Sequence, residues 1–233
     1  TGGGGFLYHF GERSVAGGLV VHLNYANPHL SPYEEFQRYK HHPAIASVLQ
    51  GGTRIAYGAR VITEGGFQSV PRLVFPGGAL IGCSAGLVNV PRIKGIHNAI
   101  RSGALAAAAI AAALAAGRQH DTLEDYQSAY ERSRIHAELK VVRNFKPLWS
   151  RLGTRAAIVL GGLDLWSNHL FGSSLFGTLK HGKTDAAATR DAAQCAPLHY
   201  PKPDGVLSFD KLSSVFISGN ATALVKWHTP TAT

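Results

Sequence analysis

The stretch PGGALIGCSAGLVNVPRIKGIHNAIRSG, residues 76–103, decides the fold that we predict for this chain. Its pattern predicts a buried strand, a glycine turn, an irregular loop and the start of a long helix. A helix start presents unpaired N–H groups and a partial positive charge, which suit a phosphate or the electron-rich pyrimidine edge of a flavin. Gly82, Gly86 and Gly95 let the backbone approach a flat ligand closely. An ordinary strand–loop–helix crossover fits the same glycines, because single glycine patterns are weak signals.

The composition permits one large domain or two small ones, since the chain has 233 residues, 45% of them hydrophobic. Residues 38–101 carry eight Lys or Arg against one acidic residue, Glu64, and so supply most of the net charge of +9. Such a patch suits an acidic protein, an anionic lipid or a nucleic acid, unless the charges are merely scattered over the surface. No motif of the usual nucleic-acid-binding modules occurs, so we expect no nucleic-acid partner.

The cysteine and histidine content indicates no metal site in this chain. Cys83 and Cys195 are too few for a disulfide framework and fit a reducing compartment. An iron–sulfur cluster needs four thiolates, and the twelve histidines lack metal-ligand spacing. The sequence contains no Met and no signal peptide, and we expect it to be a fragment.

The N-terminal part alternates predicted strands and turns. A helix begins after the N-cap Ser31, and Pro43 is expected to end or kink it. We predict strands over residues 5–10, 15–25, 54–62, 73–75 and 79–81, with turns at 11–13 and 63–66.

The C-terminal part is predicted to be helical. Residues 96–116 are predicted to form a long helix whose alanine-rich latter part is shorter than the roughly 18 to 20 strongly apolar residues of a membrane span and is weakly hydrophobic, so we expect a buried helix packed behind a sheet. Residues 121–142 form one amphipathic helix in this interpretation. Residues 155–179 place large apolar side chains on one helical stripe that resumes beyond Gly172, which suits either a helix in the membrane interface or a helix packed on the core. Residues 200–205 resemble a linker, and the last residues show no packing pattern.

Three stretches resemble the electron-transfer-flavoprotein:ubiquinone oxidoreductase family. They are residues 30–45, 54–103 and 200–219, and the resemblance covers nearly the whole chain. It implies a mixed α/β flavoprotein: a portion of an FAD/NAD(P)-binding fold, an antiparallel-sheet quinone lobe and a helical C-terminal edge. Relative to that pattern, the chain lacks the N-terminal glycine motif for the ADP half of FAD and the C-terminal cysteine-rich cluster domain.

The resemblance also implies an activity. The family's enzymes are oxidoreductases of electron transport that carry FAD and one [4Fe-4S] cluster. They take electrons from reduced electron-transfer flavoprotein and pass them to ubiquinone at a membrane surface. The implied location is the inner membrane surface, on the matrix or cytoplasmic face, and the implied membrane association is monotopic. The cluster's ligands are not in this chain, and no acid–base catalytic residue is required.

Site residues follow from the resemblance position by position. Cofactor contacts fall on the loop before the alanine-rich helix and on that helix's first turn, with the N–H groups of Ile96 and His97 facing the flavin: Gly82, Cys83, Asn89, Gly95, Ile96, His97 and Asn98. The quinone contact falls on Gly65 and Gly66, where a plain turn is the alternative. The membrane contact falls on the apolar stripe, namely Val159, Leu163, Trp166, Leu170, Phe171 and Phe176.

The resulting domain plan has four parts. Residues 1–74 form the quinone-binding lobe, 75–118 the return strand and helix of the FAD-binding domain, 119–185 a helical region with the membrane-interface segment, and 186–233 a linker and tail. Two other functions remain open: a non-catalytic, basic remnant that binds a membrane or a protein, and a geranylgeranyl reductase-type flavoenzyme.

Overall fold

The computed structural model describes residues 2–214, and the chain divides into two compact units. The first contains the described residues of 1–60 and 183–233, and the second contains residues 61–182. The predicted tail, residues 220–233, lies outside the described residues. The four-part domain plan remains a prediction.

The first unit begins with the predicted hairpin. Strands β1 (Gly3–Phe10) and β2 (Ser14–Val21) pair antiparallel, with Phe6 opposite Gly18. Helix α1 (Pro32–Lys40) starts as predicted, since the Ser31 side chain accepts a hydrogen bond from the N–H of Glu34. Helix α1 ends at Lys40, before Pro43. Pro43 is instead the first residue of another helix, α2 (Pro43–Leu49). The unit also contains a short helix, Asp185–Ala188.

The predicted strand over residues 54–62 is wrong. The chain there is irregular, and none of the described strands pairs with it. Its apolar residues Ile55, Val61 and Ile62 are exposed. An alternating sequence forms a stable strand only where a partner satisfies its backbone groups.

The second unit packs three helices against a short hairpin. Strands β3 (Val74–Phe75) and β4 (Gly78–Ala79) form that hairpin, close to where strands were predicted. Helix α3 (Ile96–Ala115) follows and ends before Gly117, as predicted. The core consists of large side chains from the hairpin's flanks and the helices, with alanines of α3 between them: Leu73, Leu87, Tyr126, Ile135, Leu139, Ala106 and Ala109.

Helix α3 is not buried on all sides, contrary to expectation. Its small-residue face, which includes Ser102 and Ala113, is buried, whereas Ile100 and Leu114 on the other side are exposed. Among the described helices it is the one long and apolar enough to cross a membrane by length and composition, contrary to the expectation of too short and too weakly hydrophobic a run, and 28% of its apolar 18-residue window is buried. The buried residues of α3 are small and lie on one face, so the helix packs against the rest of the unit along that face only.

The remaining helices are shorter or more broken than predicted. The single helix over residues 121–142 is instead α4 (Glu124–Glu131) and α5 (Arg134–Val141), because Ser133 caps α5 and interrupts the ladder. Helix α6 (Phe145–Phe171) has non-helical backbone at Gly153 and ends at Gly172, which has a φ of +68°. The predicted continuation of its stripe to residue 179 is therefore wrong, since residues 173–179 form no helix. Helices and small antiparallel sheets together agree with the α/β class.

Candidate functional site

The loop before α3, residues 82–95, forms a compact glycine elbow. Gly82 and Gly86 have φ values of +58° and +74°, which other residues rarely adopt. The N–H of Gly82 donates to Oγ of Ser102 over 3.0 Å, and a Cβ added at Gly82 would lie 3.1 Å from Cβ of Ala99. The first glycine thus lets the elbow lie directly on α3.

The middle of the elbow is a small hairpin closed by Asn89 and Lys94. The N–H of Asn89 donates to the carbonyl of Lys94 over 2.8 Å, and the reverse bond is 3.3 Å. The Asn89 side chain is fully buried. At the tip, Ile93 has a φ of +52° and is exposed. A β-branched residue in this conformation is strained, which indicates that the surrounding bonds determine the shape of the elbow.

Helix α3 begins at the end of the elbow without a side-chain cap. Gly95 precedes it, and a Cβ there would lie 3.1 Å from Cγ2 of Val88, so the glycine permits tight folding of the elbow on itself. The first N–H groups of the helix have no partner within it. Ile96 and His97 are exposed, whereas Asn98 is buried and its Nδ2 has no hydrogen-bond partner among the described residues.

Glu138 of α5 joins the predicted cofactor residues and was missed in the sequence. Its Oε1 accepts a 2.6 Å hydrogen bond from Nδ2 of Asn89, and its Oε2 lies 3.0 Å from Nε2 of His97. Burial alone would raise the pKa of Glu138, but the bonds from Asn89 and His97 and the charge of Arg92 hold that pKa below its ordinary value. Glu138 follows His97 by 41 residues, and no sequence pattern links the two.

The predicted quinone contact lies beside the glycine elbow. Gly66 is buried with a φ of +76°, and a Cβ there would lie 3.9 Å from Cγ2 of Val90. A Cβ at Gly86 would lie 3.2 Å from Cγ2 of Thr63. The second unit therefore brings the segment 63–66 and the glycine elbow, which were predicted separately, into contact.

The cysteines occupy unrelated places. Cys83 is exposed in the glycine elbow, and Cys195 is half-buried in the other unit. Within residues 2–214, no group of three or more His, Cys, Asp or Glu is arranged to hold a metal ion. The described residues therefore do not fit an iron–sulfur cluster.

The predicted membrane contact forms an exposed apolar stripe on α6. Trp166 is 69% exposed and Phe171 76% exposed, and Val159, Leu163 and Leu170 are more than half exposed. Phe176 lies in the loop after the helix and is 37% exposed. The opposite face of α6 carries Ala157, Gly161 and Asp164, all buried. The stripe is thus available to an apolar surface.

Residues 1–62 match the family model "ETF-QO, ubiquinone-binding", and the predicted contacts Gly65 and Gly66 lie just beyond that match. The electron transfer flavoprotein-ubiquinone oxidoreductase of Pseudomonas aeruginosa is 51% identical over 217 residues, which are 93% of this chain and 39% of the relative. The mitochondrial proteins of that name from Arabidopsis thaliana and Homo sapiens are each 50% identical over 94% of this chain. These matches cover 33% and 36% of the two relatives. The chain thus spans less than two-fifths of the relatives it matches, and the predicted resemblance is confirmed.

Proposed function

Since this chain is a relative, over nearly its whole length, of the electron transfer flavoprotein-ubiquinone oxidoreductases, we propose that it is part of such an enzyme. The enzyme is a membrane-associated flavoprotein dehydrogenase that passes electrons from reduced electron-transfer flavoprotein to ubiquinone through FAD. The observation that carries the proposal is the proximity of the two segments: a Cβ added at Gly66 would lie 3.9 Å from Cγ2 of Val90, and one added at Gly86 would lie 3.2 Å from Cγ2 of Thr63. It joins the segment expected to bind the quinone to the elbow expected to bind the flavin, and electron transfer requires that the two ligands be close.

The residues of the glycine elbow fit the reacting half of FAD. The first turn of α3 offers N–H groups at Ile96 and His97 without a side-chain cap, and the buried Nδ2 of Asn98 lacks a partner among the described residues. A buried donor without a partner costs free energy, which an acceptor on a bound flavin would recover. FAD, when bound, accepts electrons and passes them on. These donors would stabilise the negative charge of its reduced form and so would raise its reduction potential.

Other predicted contacts have different roles in this arrangement. The side-chain Nδ2 group of Asn89 already donates to Oε1 of Glu138, so Asn89 supports the elbow from behind. Gly82 and Gly95 permit close packing of backbone within the elbow, and Cys83 lies exposed on it. Gly66 is buried and Gly65 half-buried, so a quinone carbonyl would meet their backbone inside the fold, where neither residue places a side chain in its way. A quinone bound there would receive the two electrons that FAD supplies, together with two protons from water, and would become the hydroquinone.

The membrane part of the proposal rests on α6. A ubiquinone tail lies in the bilayer, so its pocket has to open toward lipid. The exposed stripe with Trp166 and Leu170, flanked by Arg151 and Arg155 on the same helix, suits the interface of the inner membrane, at its matrix or cytoplasmic face. The [4Fe-4S] cluster implied by the family has no ligand set among the described residues, so no role in holding it is assigned to them.

The test is substitution of Asn98 by leucine, which keeps the number and branching of the side-chain heavy atoms and removes the donor. In the FAD-loaded enzyme containing this sequence, loss of about 1.4 kcal/mol of stabilisation of the reduced flavin lowers its two-electron potential by about 30 mV. Asn27→Leu, in the other unit, is the control and leaves the potential unchanged. An unchanged potential in Asn98→Leu would refute our placement of the flavin.

A second candidate function, a non-catalytic membrane-binding remnant, is favoured only by the stripe on α6. Flavin titration separates the two functions. Binding of the enzyme to vesicles without any uptake of FAD would favour the remnant, whereas FAD uptake that depends on Asn98 favours the dehydrogenase.

A further inference from the structure

One side chain, that of Gln68, anchors the segment that carries Gly65 and Gly66. Its Nε2 donates to the carbonyl of Arg143 over 2.8 Å and to the carbonyl of Leu179 over 2.9 Å. Because both partners are carbonyls, they determine which end of the amide is the nitrogen. Gln68 lies in the 3-10 turn Phe67–Ser69 that follows Gly66. The two hydrogen bonds therefore hold the turn directly after the glycine pair.

The other end of the Gln68 amide lies beside Gly66. Its Oε1 is buried without a hydrogen-bond partner among the described residues, and it lies 3.9 Å from the position of a Cβ added at Gly66. An unpaired buried acceptor costs free energy, and native proteins keep few of them. The orientation of Gln68 is thus set by its two anchors and tolerates an unpaired oxygen next to the glycine.

Leu179, the second hydrogen-bond partner of Gln68, is also held by Asn144. The N–H of Leu179 donates to Oδ1 of Asn144 over 2.9 Å, while its carbonyl accepts from Gln68. Asn144 is fully buried, and its Nδ2 donates to the carbonyl of Gly177 over 2.8 Å. The loop after α6 is therefore fixed between Asn144 and Gln68.

Asp164 connects this loop to α6. It is buried on the face of the helix opposite the apolar stripe. Its Oδ2 accepts from Nδ2 of Asn144 over 3.1 Å, and its Oδ1 accepts from the N–H of Leu175 over 2.9 Å. Apart from Oε1 of Gln68, the atoms that connect these residues are hydrogen-bonded, and such pairing makes a buried polar network rigid. A continuous series of hydrogen bonds therefore runs from α6 to the turn beside Gly66.

We propose that Gln68 and Asp164 are positioning residues for the quinone site. Through them, the seating of α6 on a lipid surface sets the position of the Gly65–Gly66 backbone relative to a benzoquinone head group that arrives from the bilayer. This inference rests on the proposed function, because it places a quinone at those glycines. Neither residue touches the quinone in this scheme, and both act through the loop 175–179.

The first test measures amide hydrogen exchange in the flavin-loaded enzyme that contains this sequence, before any quinone is added. The variants are Gln68→Met, which keeps the side-chain length, and Asp164→Asn, which keeps its shape; exposed Gln119→Met is the matched control. The N–H of Ser69 donates to the carbonyl of Gly66, so its exchange reports on the turn. Both variants are expected to raise that exchange about tenfold, and the control leaves it unchanged. Unchanged exchange at Ser69 in Gln68→Met overturns the proposal, and Gln68→Met decides alone if Asp164→Asn does not fold.

The second test uses the flavin-loaded enzyme that contains this sequence. With a short-tailed ubiquinone analogue, both variants are expected to raise KM about tenfold, whereas turnover with a water-soluble one-electron acceptor stays at the wild-type rate. Equal loss with both acceptors, or an unchanged KM, contradicts a positioning role. If the unmodified enzyme does not reduce the quinone, the proposed function fails, and the exchange experiment still decides whether Asp164 and Gln68 control the turn.

Discussion

The Nδ2 group of Asn89 donates a 2.6 Å hydrogen bond to Oε1 of Glu138, and this bond joins the glycine elbow to α5. The same carboxylate meets Nε2 of His97 in the first turn of α3. One acidic side chain thus connects the two parts of the candidate flavin site. A negative charge close to a helix N-terminus is also stabilised by the helix dipole.

Replacement of Glu138 by glutamine is expected to reduce stability in a pH-dependent way. Because folding lowers the pKa of this carboxyl group, its contribution is fully present above the ordinary value of 4.5 and is lost as the pH falls through the lowered value. The side chain is a quarter exposed, so we expect a difference of only about 1 kcal/mol near neutral pH. Urea unfolding of wild type and Glu138→Gln between pH 3 and 7 measures this difference.

The difference in unfolding free energy between wild type and Glu138→Gln is expected to narrow as the pH falls toward 3. Glu131→Gln on α4 serves as the control, since Glu131 has no contact with the elbow among the described hydrogen bonds. A difference between wild type and Glu138→Gln that grows as the pH falls would show that the linkage has the opposite sign.

Ser102→Ala is expected to loosen the glycine elbow. The substitution leaves the buried N–H of Gly82 without its acceptor, at a cost of about 1–3 kcal/mol. The exposed Ser84→Ala is the control and should change stability by less than about 0.5 kcal/mol. Thermal and urea unfolding measure both variants, and equal stabilities would mean that the Ser102 hydroxyl does not support the elbow.

Gly82→Ala is expected to destabilise the chain more than Gly77→Ala. Both glycines have positive φ, so each alanine incurs about 1–2 kcal/mol of backbone strain. At Gly77 the added Cβ meets nothing within 4 Å, whereas at Gly82 it presses on Ala99. The difference in unfolding free energy between the two variants isolates the close approach of the elbow to α3. A Gly82→Ala variant as stable as Gly77→Ala would argue against that approach.

The apolar stripe on α6 is expected to bind lipid. Burying one large apolar side chain in the interface contributes about 1.5–3 kcal/mol. Trp166→Glu and Leu170→Glu should therefore each reduce the partition of the enzyme that contains this sequence onto anionic vesicles by about tenfold or more. Val206→Glu, at a similarly exposed apolar residue outside the stripe, controls for the added charge. Sedimentation with the vesicles measures the partition, and equal losses in all three variants would point to charge alone.

Local signals in the sequence predicted much of this fold. Ser31 with Pro32 marked the start of α1, and Gly117 marked the end of α3, because caps and breakers act within a few residues. The strand predicted over residues 54–62 failed because a strand also needs a partner, which a local pattern cannot supply. The helix over residues 121–142 failed at Ser133, whose capping hydroxyl competes with the helix ladder.

The candidate site was predictable only in part, because a local sequence pattern does not show contacts between residues that lie far apart along the chain. The glycines of the elbow are conspicuous in sequence because their backbone conformation demands them. Glu138, Gln68 and Asp164 act through contacts with residues far along the chain, and no periodicity marks such contacts. These three residues therefore emerged only from the three-dimensional arrangement.

The most direct test of the central claim is a crystal structure of the FAD-loaded enzyme containing this sequence, with a short-tailed ubiquinone analogue bound. We predict the pyrimidine edge of the flavin within hydrogen-bond distance of the N–H groups of Ile96 and His97, and a quinone carbonyl at the backbone of Gly65 and Gly66. A flavin bound away from the first turn of α3, or a quinone away from those glycines, would contradict the account.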